Sequence, residues 1–303
     1  MADPVINVSG LRKSYDDLEA VRGIDLEVEA GEVFAFLGPN GAGKTTTVEI
    51  LEGYRKRSGG DVRVLGQDPQ RAGLGWRENI GIVLQASRLD PYLTVRESLS
   101  LFAGYYRSHR PVEDVIALIG LEPQADVRSS KLSGGQQRRL DVGLALIGDP
   151  ELLFLDEPTT GFDPSARRQF WSVIRSLREL GKTVFLTTHY MEEAQFLADR
   201  AAIIVGGQII ARGRPDEIGR GTGAETEVRF RLPAGVGVGE IPVAASSDDG
   251  FVTIRTGEPV QTLNQLTGWA LERGLALAGL EVSRPSLEEI YLELTSGETE
   301  AEA

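Results

Sequence analysis

Apolar and polar residues alternate through the opening of the chain. "VINVSGL" and "AVRGIDLEVEAGEVFAFLG" place an apolar residue at about every second position, broken by glycine turns, and predict β-strands. From Val33 to Leu37 the alternation gives way to a wholly apolar run ending at Gly38, the pattern of a strand buried on both faces. "KTTTVEILEG" then switches to helical spacing and stops at Gly53. "GGDVRVLGQDP" predicts another strand. From about Leu89 to Leu146 the spacing is helical, through "TVRESLSLFAGYYR", "PVEDVIALIGL" and "SKLSGGQQRRLDVGLAL". "ELLFLDEP" is a second wholly apolar strand, and "PSARRQFWSVIRSLRELG" predicts a helix opened by proline and closed by glycine. "KTVFLTTH", "MEEAQFLADR" and "AAIIVGGQIIARG" continue as strand, helix and strand pair. Strands alternating with helices predict an α/β fold, with a mainly parallel sheet covered by helices on both faces.

The pattern shifts near Pro215, which divides the chain into a large domain over 1–214 and an accessory domain over 215–303. "EIGRGTGAETE" has a linker's composition. Beyond it "EVRFRLP", "FVTIRTG" and "LALAGLEVS" predict strands, and "PVQTLNQLTGWALERG" and "PSLEEIYLELT" predict helices, together a small α+β module. Ser286 and Glu289 have capping-box spacing, and Leu287, Ile290, Tyr291 and Leu294 form an apolar stripe. That stripe either closes the module's own core or meets a partner. The tail "SGETEAEA" has the composition of a disordered end.

Composition narrows the possibilities. Apolar residues make up 41% of the 303 and charged residues 25%, the balance of a globular protein with a sizeable core. The absence of cysteine excludes disulfides and thiolate chemistry and fits a cytosolic setting. Net charge is −13, and residues 213–303 carry most of it, with 7 basic against 16 acidic side chains. An acidic chain is a poor match for nucleic acid, whose phosphates are met by Lys and Arg. "MADPVINVSGLRKSY" lacks a basic segment followed by an apolar core, so no signal peptide is expected. No stretch approaches the roughly 18 apolar residues of a membrane span.

Three motifs carry chemistry. Gly38-Pro39-Asn40-Gly41-Ala42-Gly43-Lys44-Thr45-Thr46 fits G-x-x-x-x-G-K-[ST] between a predicted strand and a predicted helix. Such a loop wraps a phosphate in backbone N–H groups at a helix N-terminus. Lys44 is placed to reach the outer phosphates and the Thr45 hydroxyl to ligate Mg²⁺. In "LLFLDEP", Asp156 and Glu157 emerge from a buried strand. Asp156 fits the Mg²⁺-side carboxylate, and Glu157 fits a base that polarises the attacking water. Gln85 and His189 each end an apolar strand, and His189 could meet the γ-phosphate; His109 reads as a surface residue. "SGGQQRRL" opens a helix with a second anion-binding cap, which raises the question of why one chain carries two phosphate readers.

A family resemblance answers it. "LSGGQQRRL", with "GPNGAGKTT", "LLFLDEPTTGFDP" and "TTH" in this order over about residues 5–212, resembles the ATP-binding subunit of an ABC transporter. "QASRLDPYLTVRESL" and "PSLEEIYLELT" resemble the daunorubicin-type drug-efflux ATPases, whose membrane chain is separate. The resemblance implies a P-loop ABC ATPase fold with an antiparallel β subdomain and a helical subdomain. It also implies a head-to-tail homodimer around two Mg-ATP. In it the Gly38–Thr46 loop of one copy holds each ATP, and Ser133, Gly134, Gly135 and Gln136 of the other cap it. By the same resemblance Tyr15 stacks on adenine, although a buried strand-end tyrosine reads the same way. Asp163 lines the dimer seam, Gln85 joins the metal site to the region facing the membrane partner, and His189 stabilises the γ-phosphate. Phe162 stands where relatives commonly carry Leu.

The implied role is the ATP-hydrolysing motor of an exporter, working with a separate multi-span permease at the cytoplasmic face of the membrane. Two alternatives stay open. An importer ATPase with a regulatory C-terminal module is compatible with residues 215–303. A soluble ABC-type ATPase acting on ribosomes or DNA is disfavoured by the single ATPase domain, the lack of a heptad insertion and the acidic charge.

Overall fold

The computed structural model describes residues 4–85, 89–218, 226–232, 235–248, 250–283 and 291. Two compact units divide the chain, Met1–Pro215 and Asp216–Ala303.

In the first unit, β1 (Ile6–Tyr15), β2 (Leu18–Val28), β3 (Val33–Leu37), α1 (Lys44–Leu51), β4 (Gly59–Val64), α2 (Leu74–Arg77) and β5 (Ile80–Val83) come first. Then follow α3 (Val95–Ala103), α4 (Val112–Leu118), α5 (Gly134–Leu146), β6 (Leu152–Asp156), α6 (Pro164–Glu179), β7 (Thr183–Thr188), α7 (Met191–Leu197), β8 (Arg200–Val205) and β9 (Gln208–Gly213). Among the described residues the main sheet has the order β5-β6-β7-β3-β8-β9. It is parallel except for the β8–β9 hairpin. Its central strands β3, β6 and β7 are buried at every position, which accounts for their unbroken apolar runs. Phe34 and Phe154 flank Phe185 with ring centroids 5.6 and 5.8 Å apart, and these rings are register partners across β3, β7 and β6. Such cross-strand aromatic contacts hold the register.

The antiparallel sheet β2-β1-β4 shares one core with this sheet: Ile6, Val8, Leu26 and Val62 cluster with Phe36, Phe154 and Phe185. The short helix α2, which the periodicity does not announce, seats Trp76 in that core, its indole N–H donating to the Val64 carbonyl at 2.8 Å. Helices α3, α4 and α5 pack together as the helical subdomain.

In the second unit, β10 (Thr226–Arg231), β11 (Ser246–Asp248), β12 (Phe251–Thr256), α8 (Pro259–Glu272) and β13 (Glu281–Ser283) form an antiparallel sheet of order β11-β12-β10-β13 with one helix on it. Val228, Phe230, Val252, Ile254 and Leu266 make its core. The strand expected over "LALAGLEVS" shrinks to Glu281–Ser283, because a turn with Gly279 at φ 68° occupies its first half. The short, wholly exposed β11 has no hydrophobic alternation to announce it. Ser286, Glu289 and the "PSLEEIYLELT" helix lie outside the described residues apart from Tyr291, as does the tail.

Candidate functional site

Parallel pairing brings the motifs to one edge. Leu37 is opposite Thr188, Asp156 is opposite Thr187, and Val83 is opposite Leu155. Gly38, His189, Glu157 and Gln85 therefore leave the sheet along the same carboxyl-terminal edge, where open α/β sheets bind ligands.

The turn from β3 to α1 is built by glycine. Gly43, the N-cap of α1, has φ 103°, and a Cβ there would lie 2.5 Å from the Ala20 carbonyl oxygen. At Gly38 a Cβ would come within 2.3 Å of the Ile204 carbonyl oxygen, so the loop passes too close to β8 for any side chain. Asn40, Gly41 and Thr45 are exposed, Pro39, Gly43 and Thr46 half-buried, and Ala42 buried. The buried Lys44 folds back over the loop, its Nζ donating to the carbonyls of Gly38 at 2.8 Å and Pro39 at 3.1 Å. The same ammonium lies 3.2 Å from Glu157 Oε1.

Glu157 is the centre of this cluster. It has φ 42°, a left-handed conformation rare for a residue with a side chain. Thr187 holds it there: the Glu157 N–H donates to Thr187 Oγ1 at 2.9 Å and to its carbonyl oxygen at 3.2 Å. His189 Nδ1 lies 3.3 Å from Glu157 Oε2 without forming a hydrogen bond. The Thr160 hydroxyl donates to Oε2 at 3.3 Å. The reversal at Glu157 separates its carboxylate from that of its neighbour. Asp156 is buried and accepts from the Thr187 hydroxyl. Burial pushes the Asp156 carboxyl above its ordinary range and Glu157 adds to the push; the Thr187 hydroxyl, Lys44 and Arg138 oppose it.

Behind His189, Glu193 is fully buried on α7, its Oε1 accepting from Thr159 Oγ1 at 3.0 Å and Trp171 Nε1 at 3.1 Å. Burial raises its carboxyl, against hydrogen bonds from Thr188, Trp171 and Thr159.

The other sequence-derived candidates lie outside that cluster. Ser133 caps α5 in a capping box with Gln136: Ser133 Oγ accepts from Gln136 N at 3.3 Å, and Gln136 Oε1 accepts from Ser133 N at 2.9 Å. Ser133 and Gly134 are exposed and Gly135 half-buried, so this helix start faces outward, and its hydrogen bonds stay within its own turn. Asp163 caps α6, its Oδ1 accepting from Ser165 N and Ala166 N. Tyr15 is half-buried at the end of β1, with Lys13 Nζ 4.7 Å and the Arg55 guanidinium 5.3 Å from its ring centroid. Gln85 is exposed beyond β5. Beside it runs a cleft of about 640 Å³, lined among others by Glu52, Tyr54, Leu84 and Phe102. Burial, with help from Asp156 and Glu49, pushes Glu52 up to about 8.

Thr187, Thr160 and Arg138 lie within the quoted motifs, but residue type alone assigns them no role there. Arg138 carried a signal: it shares a helical stripe with Val142, Ala145 and Leu146, and a charge on a core-facing stripe must be paired.

For a metal, the described residues offer no group of three or more His, Cys, Asp or Glu side chains. One buried carboxylate, Asp156, and a hydroxyl, Thr45, at a phosphate loop suit Mg²⁺, which takes one or two carboxylates plus substrate phosphates and water.

Known proteins resemble this chain. The ABC transporter family profile matches residues 21–160. A second profile, the ABC transporter domain-containing protein-like C-terminal domain, matches residues 226–286. The chain is 37% identical over 306 residues to the daunorubicin resistance ATP-binding protein DrrA3 of Streptomyces coeruleorubidus, covering 97% of each. It is 40% identical over 322 residues to Nod factor export ATP-binding protein I of Rhizobium sp. (strain N33), covering 99% of this chain and 100% of that one. Among solved structures, a dimeric ATP-binding cassette in a post-hydrolysis state, bound to ADP and Pi, superposes with a TM-score of 0.61 at 25% identity. The match covers 69% of this chain and 98% of that one.

Proposed function

This chain belongs to the ABC transporter family of ATP-binding proteins and hydrolyses ATP, and from that premise we propose that it is the motor subunit of a multi-chain exporter. The observation that carries the exporter reading is likeness along the whole chain, accessory unit included, to a daunorubicin resistance protein and a Nod factor export protein. The cargo class is a drug or another exported small molecule.

In this reading ATP lies along the carboxyl edge of the sheet. The Gly38–Thr46 loop and Lys44 hold its phosphates, Tyr15 its adenine, and Glu157 takes the proton of the attacking water. His189, 3.3 Å from Glu157, meets the γ-phosphate. Thr45, Asp156 and Gln85 would hold Mg²⁺, which neutralises phosphate charge. Two copies dimerise head to tail, so that the outward-facing cap at Ser133–Gln136 of one copy closes the site of the other; Asp163 lies at that seam. The exposure of Ser133 and Gly134 at the first turn of α5 supports this.

A separate membrane subunit completes the machine. No helix among the described residues is long and apolar enough to cross a membrane. The chain works at the cytoplasmic face, and we place the permease contact at the cleft beside Gln85, where Tyr54, Leu84 and Phe102 expose apolar surface.

The test is capture of partners from native cells with tagged Glu157→Gln protein and ATP. Recovery of a multi-span membrane protein supports the motor reading, and assaying that protein's transport direction separates exporter from importer. Recovery of ribosomes or DNA-bound proteins, with the membrane fraction empty, overturns it.

A further inference from the structure

One turn beyond the Ser133 cap, the Arg138 side chain leaves the helix and enters the protein, where it is 7% exposed. Each nitrogen of its guanidinium donates to a different backbone carbonyl. Nε reaches Pro158 O at 3.1 Å, Nη2 reaches Asp156 O at 2.8 Å, and Nη1 donates to Leu84 O. Among the described residues, the carboxylate paired with it is Asp141, 3.9 Å away on the same helix. These carbonyls sit just where β5 and β6 stop pairing with each other, after Val83 and Leu155. Leu84 is the residue before Gln85, and Asp156 and Pro158 flank Glu157. A buried guanidinium is tolerated only when its donors are satisfied. Here that requirement ties α5 to both strand ends that carry site residues.

We propose that Arg138 is a positioning residue that couples the two ATP sites of the dimer. It fixes Gln85 and Glu157, which serve the subunit's own nucleotide, to the helix whose cap reads the nucleotide held by the partner. The inference rests on the head-to-tail arrangement proposed above. Seating Ser133 on the partner's phosphate shifts the start of α5, and the hydrogen bonds to Asp156 and Pro158 pass that shift to the backbone on either side of Glu157, while the one to Leu84 passes it to the residue before Gln85. A free energy of coupling of this kind is reciprocal for binding, so ordering Glu157 around its own nucleotide equally favours docking of the cap. Arginine is required: its planar fork serves three acceptors at once, whereas lysine presents a compact point charge on a flexible stem.

The experiment compares full-length wild type with Arg138→Lys. Turnover of the variant should fall on the order of tenfold or more, the loss expected from releasing charge-assisted hydrogen bonds that hold the backbone beside Glu157. Binding of a fluorescent ATP analogue to the monomer should change by less than about twofold, because Arg138 touches no phosphate-loop residue. The Hill coefficient for ATP should drop from its wild-type value to unity, a readout that a purely structural defect leaves in place. If Arg138→Lys does not fold, Arg138→Ala is assayed with added guanidinium ion, which should restore turnover but not cooperativity, since the free ion is not attached to α5. Unchanged turnover and Hill coefficient in Arg138→Lys overturn the proposal, as does a wild-type enzyme without cooperativity. Light scattering of Glu157→Gln with ATP separates the two levels. If that protein dimerises while Arg138→Lys behaves as wild type, only this inference falls. If it stays monomeric and Ser133→Ala turns over normally, the dimer reading falls and takes the inference with it.

Discussion

Replacing Thr187 by valine removes one hydroxyl from the fully buried strand β7 and keeps its shape. That hydroxyl donates to Asp156 Oδ1 and accepts from the Glu157 N–H. Glu157 N keeps a second acceptor, the Thr187 carbonyl at 3.2 Å, so the larger loss falls on Asp156. A hydrogen bond to an ionised group is worth about 1.5–3 kcal/mol, and one between neutral groups about 0.5–1.5 kcal/mol. The substitution should therefore cost about 1.5–3 kcal/mol at neutral pH and about 1 kcal/mol where Asp156 is protonated. The direction with pH follows from burial. The folded carboxyl holds its proton more tightly than the unfolded chain, whose value is 3.8, so its contribution to stability declines as pH rises above that value. Without the hydroxyl the folded carboxyl rises further, and the decline is steeper and extends to higher pH. Urea unfolding of both proteins from pH 4 upward, followed by the fluorescence of the buried Trp76 and Trp171, should show a stability gap that widens with pH. A constant gap, or none, would refute the assignment of the Thr187 hydroxyl to the ionised carboxylate.

Other expectations follow from the same geometry. Glu157→Gln should slow hydrolysis by roughly 10²–10⁴-fold in a single-turnover assay while retaining ATP and accumulating as a dimer on size exclusion; near-normal turnover would remove Glu157 from the role of base. Ser133→Ala should abolish turnover and leave nucleotide affinity of the monomer largely intact, with about 0.5–2 kcal/mol of cap stability lost in chemical denaturation; a parallel loss of monomer affinity would contradict the trans site. Glu193→Gln keeps an oxygen facing Thr159 and Trp171 but does not titrate. Its stability relative to wild type should rise as pH increases above 4.5, because the wild-type carboxyl is raised by burial, and pH-dependent melting curves check the sign.

The cluster around Glu157 was legible because its motifs sit at the ends of apolar runs, whereas Ser133–Gln136 was legible as a helix cap. Val33–Leu37 into Gly38, Leu152–Leu155 into Asp156 and Val184–Leu186 into His189 are each a buried strand followed by polar side chains, and the parallel pairing of such strands brings those polar ends together. Glu157's backbone conformation was hidden, because a left-handed glutamate leaves no mark in residue type, unlike the glycines of the phosphate loop. Thr187 was passed over because a threonine in a buried strand usually serves packing. In the accessory unit β11 carries no apolar residue to announce it, and its pairing with β12 is joined by the Ser246 hydroxyl donating to the Thr253 carbonyl.

The φ of 42° at Glu157 has a consequence for how this protein can evolve. A non-glycine residue held in such a region stores on the order of 1–3 kcal/mol. Glycine or asparagine would relieve that strain, but either would leave the buried Lys44 ammonium without the carboxylate 3.2 Å away, so selection for stability alone does not favour the exchange. A substitution at this turn therefore carries two costs: the fold loses the Lys44 pair and, on the role proposed above for Glu157, the protein loses its base.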